Sequence, residues 1–237
     1  MIALDVFREN IKKCWQFTLD VTWDQNRRHP ELTRGQCLEE RSYLHTLLGT
    51  NQAEVFIKAR QMADEVAEKE EMNVLLPEVM QFVEENKYPV TLDHPEFEPG
   101  RSFRFNLLPN NWCYIHIRNA RMPKSFLSDP AYVAENLRYV MDRAEKEHNC
   151  DVIYTATWLN DAYPFLRYFP EEWQNNLADT MDFGPTMGWQ GQFINAQGLL
   201  NEAAAARFLK TGVLPCARRE SHCSFAVLRE YLNQKGW

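Results

Sequence analysis

The sequence predicts an α+β fold, a helical N-terminal bundle followed by a mixed α/β region with a small sheet. Three observations carry this. Apolar residues recur at helical spacing through about the first 86 positions. After Gly100 the pattern shortens to strand-like runs separated by turn residues. Between the two, Pro89, Pro95, Pro99 and Gly100 fall within twelve positions, the composition of a linker. The expected organisation is therefore a helical region over 1–87, a linker over 88–100 and an α+β domain over 101–237.

The first helix is predicted from Ala3 to about Trp23, with Leu4, Phe7, Ile11, Trp15, Leu19 and Trp23 on one face. Arg27-Arg28-His29-Pro30 ends it, because the residue before proline is pushed out of the α region. Thr33 caps a second helix reaching Gly49, with Cys37, Leu38, Tyr43, Leu44 and Leu47 on its apolar side. A third pattern runs from about Gln52 to Met72, and a short fourth from Leu75 to Glu85. Beyond the linker, R-S-F-R-F-N-L-L and W-C-Y-I-H-I-R flank Pro109-Asn110-Asn111 and predict a β-hairpin. Asp129-Pro130 reads as an N-cap with proline at the first helical position, opening a helix to about His148. D-V-I-Y-T-A-T-W-L is the next strand, so strand, helix and strand suggest a parallel crossover. The segment P-F-L-R-Y-F-P-E-E-W gives short helical turns, 182–198 reads as irregular, an alanine-rich helix spans Leu199 to Lys210, and a last helix covers about Ser224 to Asn233.

Composition narrows the function classes. Hydrophobic residues make up 45% and charged residues 25% of the 237, the balance of a globular protein. A net charge of −7 argues against a nucleic-acid partner, which needs a basic face. No apolar run approaches the length of a membrane span, and the charged N-terminus M-I-A-L-D-V-F-R-E-N-I-K-K lacks the apolar core of a signal peptide, so no membrane partner and a cytoplasmic location are expected. The six cysteines include no C-x-x-C pair and are expected as free thiols. Cys216, His222 and Cys223 fall short of the four ligands of structural zinc, so no metal is expected. The sequence is silent on oligomeric state.

Four segments are candidate sites. The loop R-N-A-R-M-P-K-S-F places Arg118, Arg121, Lys124 and Ser125 ahead of a helix, where cations and N–H groups hold a phosphate or carboxylate; the alternative is a solvated basic loop. His116 shares a strand face with Tyr114 and is either a general base or a buried, hydrogen-bonded histidine. Thr157, Trp158, Asn160 and Asp161 lie at a strand end, where α/β proteins place ligands, although Asn and Asp also serve turns. In G-P-T-M-G-W-Q-G-Q-F-I-N, Trp189, Gln190 and Gln192 are disposed to contact a polar ligand.

The order of these C-terminal elements also resembles a known family. Ile115-His116-Ile117, a polar loop, a helix, Thr157-Trp158-Leu159 and then F-P-E-E-W are similar to the C-terminal domain of GNAT-like acyltransferases, where the strands read V-H-I-P and S-W-L-L after a helical N-terminal domain. The resemblance spans about residues 101–173. It lacks the Gly-rich pyrophosphate loop, and 189–237 has no counterpart. It implies transfer of an acyl group from a coenzyme A thioester to a small amine. The donor phosphates would lie near Arg118, Arg121, Lys124 and Ser125, His116 would deprotonate the amine, and backbone N–H groups near Thr157 would hold the oxyanion. The other readings are a non-catalytic protein enclosing a small molecule between Trp158, Trp189, Gln190 and Gln192, and a protein whose N-terminal helices bind a partner.

Overall fold

The computed structural model describes residues 2–88, 96–181 and 183–237. Its helices are α1 (Leu4–Arg28), α2 (Arg34–Arg41), α3 (Leu44–Leu48), α4 (Glu54–Glu65), α5 (Leu76–Lys87), α6 (Pro130–His148), α7 (Tyr163–Leu166), α8 (Glu171–Asn175), α9 (Met187–Gln190), α10 (Glu202–Thr211) and α11 (Phe225–Gln234). Its strands are β1 (Phe103–Leu107), β2 (Cys113–Ile117), β3 (Val152–Thr157) and β4 (Arg219–Ser224), which form one sheet in that order. The protein is therefore α+β, mainly helical with one small mixed sheet. Much of the expected linker, residues 89–95, lies outside the described residues. Two compact units result: Met1–Thr91 with Phe183–Pro215, and Leu92–Asp182 with Cys216–Trp237. Among the described residues no helix is long and apolar enough to cross a membrane, and all six cysteines are unbridged.

In the helical unit, α1 buries Phe7, Ile11, Trp15 and Leu19 of the stripe predicted from spacing, with Cys14 and Phe17 beside them, while Leu4 and Trp23 are half-buried. Thr33 caps α2 by accepting from Gln36 N while the Gln36 side chain accepts from Thr33 N. Two expected helices are divided. The second breaks at Ser42, whose hydroxyl donates to Leu38 O and accepts from Leu44 N at 3.1 Å, offering the backbone an alternative to the helical ladder. Gly49 then ends α3 at φ 80°, a left-handed turn that favours glycine. The third breaks at Val66, because the Glu71 carboxylate accepts from Ala67 N and Glu68 N and opens a 3₁₀ turn over Lys69–Leu75. No strand occurs among the described residues 2–88.

Residues 183–215, expected with the sheet, group with these helices. The reason is aromatic packing: Phe193 lies 5.0 Å from Phe17 and 5.5 Å from Phe208, ring centre to ring centre. The stretch expected to be irregular forms α9 and a 3₁₀ turn over Gly191–Phe193.

In the sheet unit, β1 and β2 form the predicted antiparallel hairpin, with Phe103 opposite Ile117 and Leu107 opposite Cys113. Asn111 takes φ 62° in the turn. The Asp129 side chain caps α6 by accepting from Tyr132 N, with Pro130 at the first position. α6 carries the chain to β3, which runs parallel to β2 as the crossover pattern requires. β3 stops at Thr157, two residues before the expected end, because the Thr157 hydroxyl accepts from Leu159 N and starts a 3₁₀ turn. β4, antiparallel to β3, is a strand the sequence reading did not contain. Its inward positions are Ser221 and Cys223, too small and polar to mark an alternating apolar pattern. The core joins Phe103, Ile115, Ile153 and Cys223 of the sheet to Val133, Leu137, Val140 and Met141 of α6, and to Phe165, Phe169 and Trp173.

Candidate functional site

Strand alternation gives the sheet two unlike faces. One carries Phe103, Cys113, Ile115, Ile153 and Cys223 into the core. The other carries Tyr114 and His116 from β2, Tyr154 from β3, and Glu220 and His222 from β4, each half-buried. Trp112, at the entrance to β2, joins this face. Its ring stacks on His222 at 4.6 Å and lies 6.1 Å from Tyr154. Tyr114 stands edge-on to Tyr154 at 5.2 Å and tilts over His116 at 4.6 Å. Five rings are thus contiguous across three strands. The Tyr154 hydroxyl donates to Glu220 at 2.8 Å; burial first, and that carboxylate second, keep the phenol protonated well above its usual range.

At the far end of this face the parallel strands part. Pairing between β2 and β3 covers only Cys113 with Ile153 and Tyr114 with Tyr154. One step further on, the Thr155 hydroxyl donates to Ile115 O at 3.0 Å. His116 and Thr157 lie beyond the paired positions, at the C-terminal ends where ligands of α/β sheets bind. They face opposite ways, however: Thr157 shares the Ile153 side and His116 the Tyr154 side. The His116 ring is hydrogen-bonded to the Asn106 side chain. Burial, reinforced by the Arg104 charge, lowers its pKa to about 4, so the imidazole is neutral at pH 7 and a weak base.

The basic loop is tied down by its own partners. Arg118 donates through Nε to Arg101 O at 2.8 Å and lies over the Phe97 ring. Arg121 pairs with Asp129 at 3.0 Å and lies over Tyr132. The Asn119 side chain accepts from Arg121 N and Phe126 N, N–H groups an anion would have used. Lys124 is exposed, and Ser125 offers its carbonyl to Ser128. The two arginines therefore turn to different partners, and the helix cap already holds a carboxylate.

The remaining predicted ligand residues divide between the units. Asn160 is fully buried; its amide donates to Thr155 O at 3.0 Å and Arg219 O at 2.9 Å, and its oxygen accepts from Trp173 Nε1 at 3.2 Å. Asp161 accepts from Ala217 N at 2.9 Å and pairs with Arg219. Both fasten β4 to β3, and Trp158 packs against the same core. In the helical unit, Gln190 accepts from Thr46 Oγ1 at 2.6 Å and donates to Ser42 O. Gln192 donates to Trp189 O at 2.7 Å, and Trp189 is buried. These three amide side chains thus close protein hydrogen bonds, a role that buried polar groups require.

The face residues Trp112, Tyr154 and Glu220 were not among the sequence candidates, and His222 was weighed only as a zinc ligand. Alternation on β2 pointed to Tyr114 and His116 only, and an unrecognised β4 hid the other side. His222 and Cys223 point to opposite faces of β4, which separates them as ligands. Among the described residues no group of three or more His, Cys, Asp or Glu side chains is arranged to hold a metal ion. No family model matches the chain, and neither a curated protein nor a solved structure does so.

Proposed function

We propose that the protein binds a small planar polar molecule without transforming it, and that the ligand stacks on the ring face formed by Trp112, Tyr114, Tyr154 and His222. The carrying observation is the contiguity of those half-buried rings on one side of a four-stranded sheet. Aromatic faces reward stacking of another flat ring, and Glu220 and Asn106 supply polar edges. A non-catalytic role is supported by the chemistry beside them, where His116 is a weak base and Thr157 lies on the other face. The acidic balance supports a small molecule over a nucleic acid, and the free thiols fit a cytoplasmic protein.

A second reading, acyl transfer from a coenzyme A thioester, is favoured by the crossover β2–α6–β3, whose pairing ends after two positions. One experiment separates the two. Adenosine and acetyl-coenzyme A are titrated calorimetrically, with thiol release followed in the presence of a small amine. The binding reading expects both to bind through the adenine ring, with no thiol release. Trp112→Ala and Tyr114→Ala should each weaken binding roughly tenfold, since stacking on one aromatic side chain is worth about 1–3 kcal/mol. Thiol release abolished by His116→Ala would establish the acyl-transfer reading instead. Absence of any binding, or binding indifferent to both ring variants, would overturn the ring face as the site.

A further inference from the structure

The helical unit has an open pocket of its own, lined by no residue of the sheet face. This pocket, of about 540 Å³, lies at the C-terminal end of α1, lined by Asp20, Trp23, Asp24, Arg27, Arg34 and Lys69, with Leu209 of α10 at its side. That volume suits a small molecule. The polar groups there are unequal in kind. Asp24 is buried, and its two oxygens are taken, one by Arg27 and the other by Arg28 at 2.6 Å. Asp20 pairs with Lys69 and accepts from Gln16 at 3.0 Å. Arg34 lies 5.3 Å from the centre of the Trp23 ring and reaches Val66 O and Ala67 O, backbone acceptors that leave its charge uncompensated. Among the described residues Arg34 has no carboxylate partner.

Three cations and two carboxylates thus line the pocket, and Arg28 pairs with Asp24 from outside the lining. The carbonyl ends of α1 and α4 offset part of that excess, and the two carboxylates oppose an anion. The donor balance remains one-sided. Each guanidinium offers five N–H donors and an ammonium three. Arg27 uses one nitrogen, Nη2, on Asp24, and Arg34 one nitrogen, Nη1, on the two carbonyls. Both Asp24 oxygens and Asp20 Oδ1 already have partners, which leaves Asp20 Oδ2 and the Asn26 side-chain oxygen as acceptors against a larger number of N–H donors. Trp23 and Leu209 add an apolar wall.

We propose that this pocket binds a small phosphate ester, its phosphate accepting from Arg27, Arg34 and Lys69 and its organic part lying against Trp23 and Leu209. Phosphate is the best match because it supplies several acceptor oxygens and negative charge at one point.

The test uses the full chain and phenyl phosphate, with phenol and anilinium as controls. Binding is read by calorimetry and by the indole resonance of Trp23, assigned through Trp23→Phe. Phenyl phosphate should bind, more tightly at low salt, and shift that resonance, whereas phenol and anilinium should not. Arg27→Gln, at a guanidinium side chain 75% exposed, should leave the fold intact and weaken binding roughly tenfold, as expected for loss of one charge-assisted bond. Lys69→Gln should do the same if Arg34→Gln, which also frees Val66 O, fails to fold. Trp112→Ala should change nothing, which keeps this site distinct from the sheet face. No binding of phenyl phosphate by the native chain, or binding that both Arg27→Gln and Lys69→Gln retain, would overturn the proposal.

Discussion

Lys87 shows how one residue can tie stability to pH. It ends α5 and donates from Nζ to Thr46 O at 2.7 Å, near the C-terminal turn of α3, where a cation is favoured. Burial wins over that attraction and lowers its pKa from 10.5 to about 8. The nearby Cys14 thiol, pushed up by burial to about 12, stays protonated through the same interval. The sign follows from linkage. Between about 8 and 10.5 the folded state holds fewer protons at this site than the unfolded chain, so the contribution of Lys87 to stability rises with pH across that window. Below it both states are protonated and the penalty for a buried charge is fully present. The stability of the native protein relative to Lys87→Met should therefore increase from neutral pH to the alkaline end of the window. Urea midpoints of the two proteins check this, and parallel pH profiles would show that the ammonium remains hydrated in the fold. His116 works in the acid range by the same rule. Its folded pKa of about 4 lies below the ordinary 6.5, so its contribution is present near neutrality and is lost as pH falls through that interval.

At the scale of elements, the packing of α2 on α4 depends on a glycine. Gly35 N donates to Asp64 Oδ1 at 2.8 Å, and Thr33 Oγ1 donates to Asp64 Oδ2 at 3.1 Å, so a carboxylate of α4 helps to cap α2. A β-carbon on residue 35 would lie 2.6 Å from Asp64 Oδ2 and 2.7 Å from Arg60 O. Helix propensity alone favours Gly35→Ala by about 1 kcal/mol. Overpacking against a backbone carbonyl costs about 1–3 kcal/mol and also displaces the capping carboxylate. The second effect should win, and Gly35→Ala should lower the denaturant midpoint without changing the slope; a raised midpoint would mean that α4 yields freely. The contact was not legible in the sequence, since a glycine two residues after a cap carries no sign of what packs on it. The same boundary between local and non-local information runs through the rest. The α1 stripe, the Thr33 and Asp129 caps, the Asn111 turn and the β2–α6–β3 crossover rest on spacing within one segment, and all could be read. The breaks at Ser42 and Val66 come from side chains competing for backbone groups inside an otherwise unbroken apolar pattern. At the candidate site, Tyr114 and His116 followed from alternation, but the register that brings Trp112 onto His222 joins positions 110 residues apart. Asn160 and Gln190 looked like ligand groups because polarity is visible in a sequence and burial is not.

At the scale of the whole molecule, the chain returns late to complete a core begun at its start. Each unit has its own cluster of buried side chains, and the helical one closes only with Phe193, Leu200, Ala205 and Phe208. Phe193 is central to that closure. It is 1% exposed and meets the rings of Phe17, Tyr43 and Phe208. Truncating such a residue removes buried apolar surface and leaves a cavity, which together cost about 3–5 kcal/mol. Because native stability is local as well as global, the loss should be largest where the missing ring packed. Phe193→Ala should therefore shed amide protection along α1 and α3, elements more than a hundred residues earlier in the chain. Its nearest sequence neighbours among the strands predict otherwise: if residues 183–215 belonged with the sheet, the loss would fall on β3 and β4. Hydrogen exchange resolved by residue distinguishes the two patterns. Protection lost first from β3 and β4, with α1 unchanged, would contradict the grouping of this segment with the helices. Gln190 provides a companion reading, since its bonds to Ser42 and Thr46 join the same segment to the corner between α2 and α3. Gln190→Ala should reproduce the α3 part of the pattern more weakly, leaving Ser42 O without its amide donor at a buried position, a loss of about 1–3 kcal/mol.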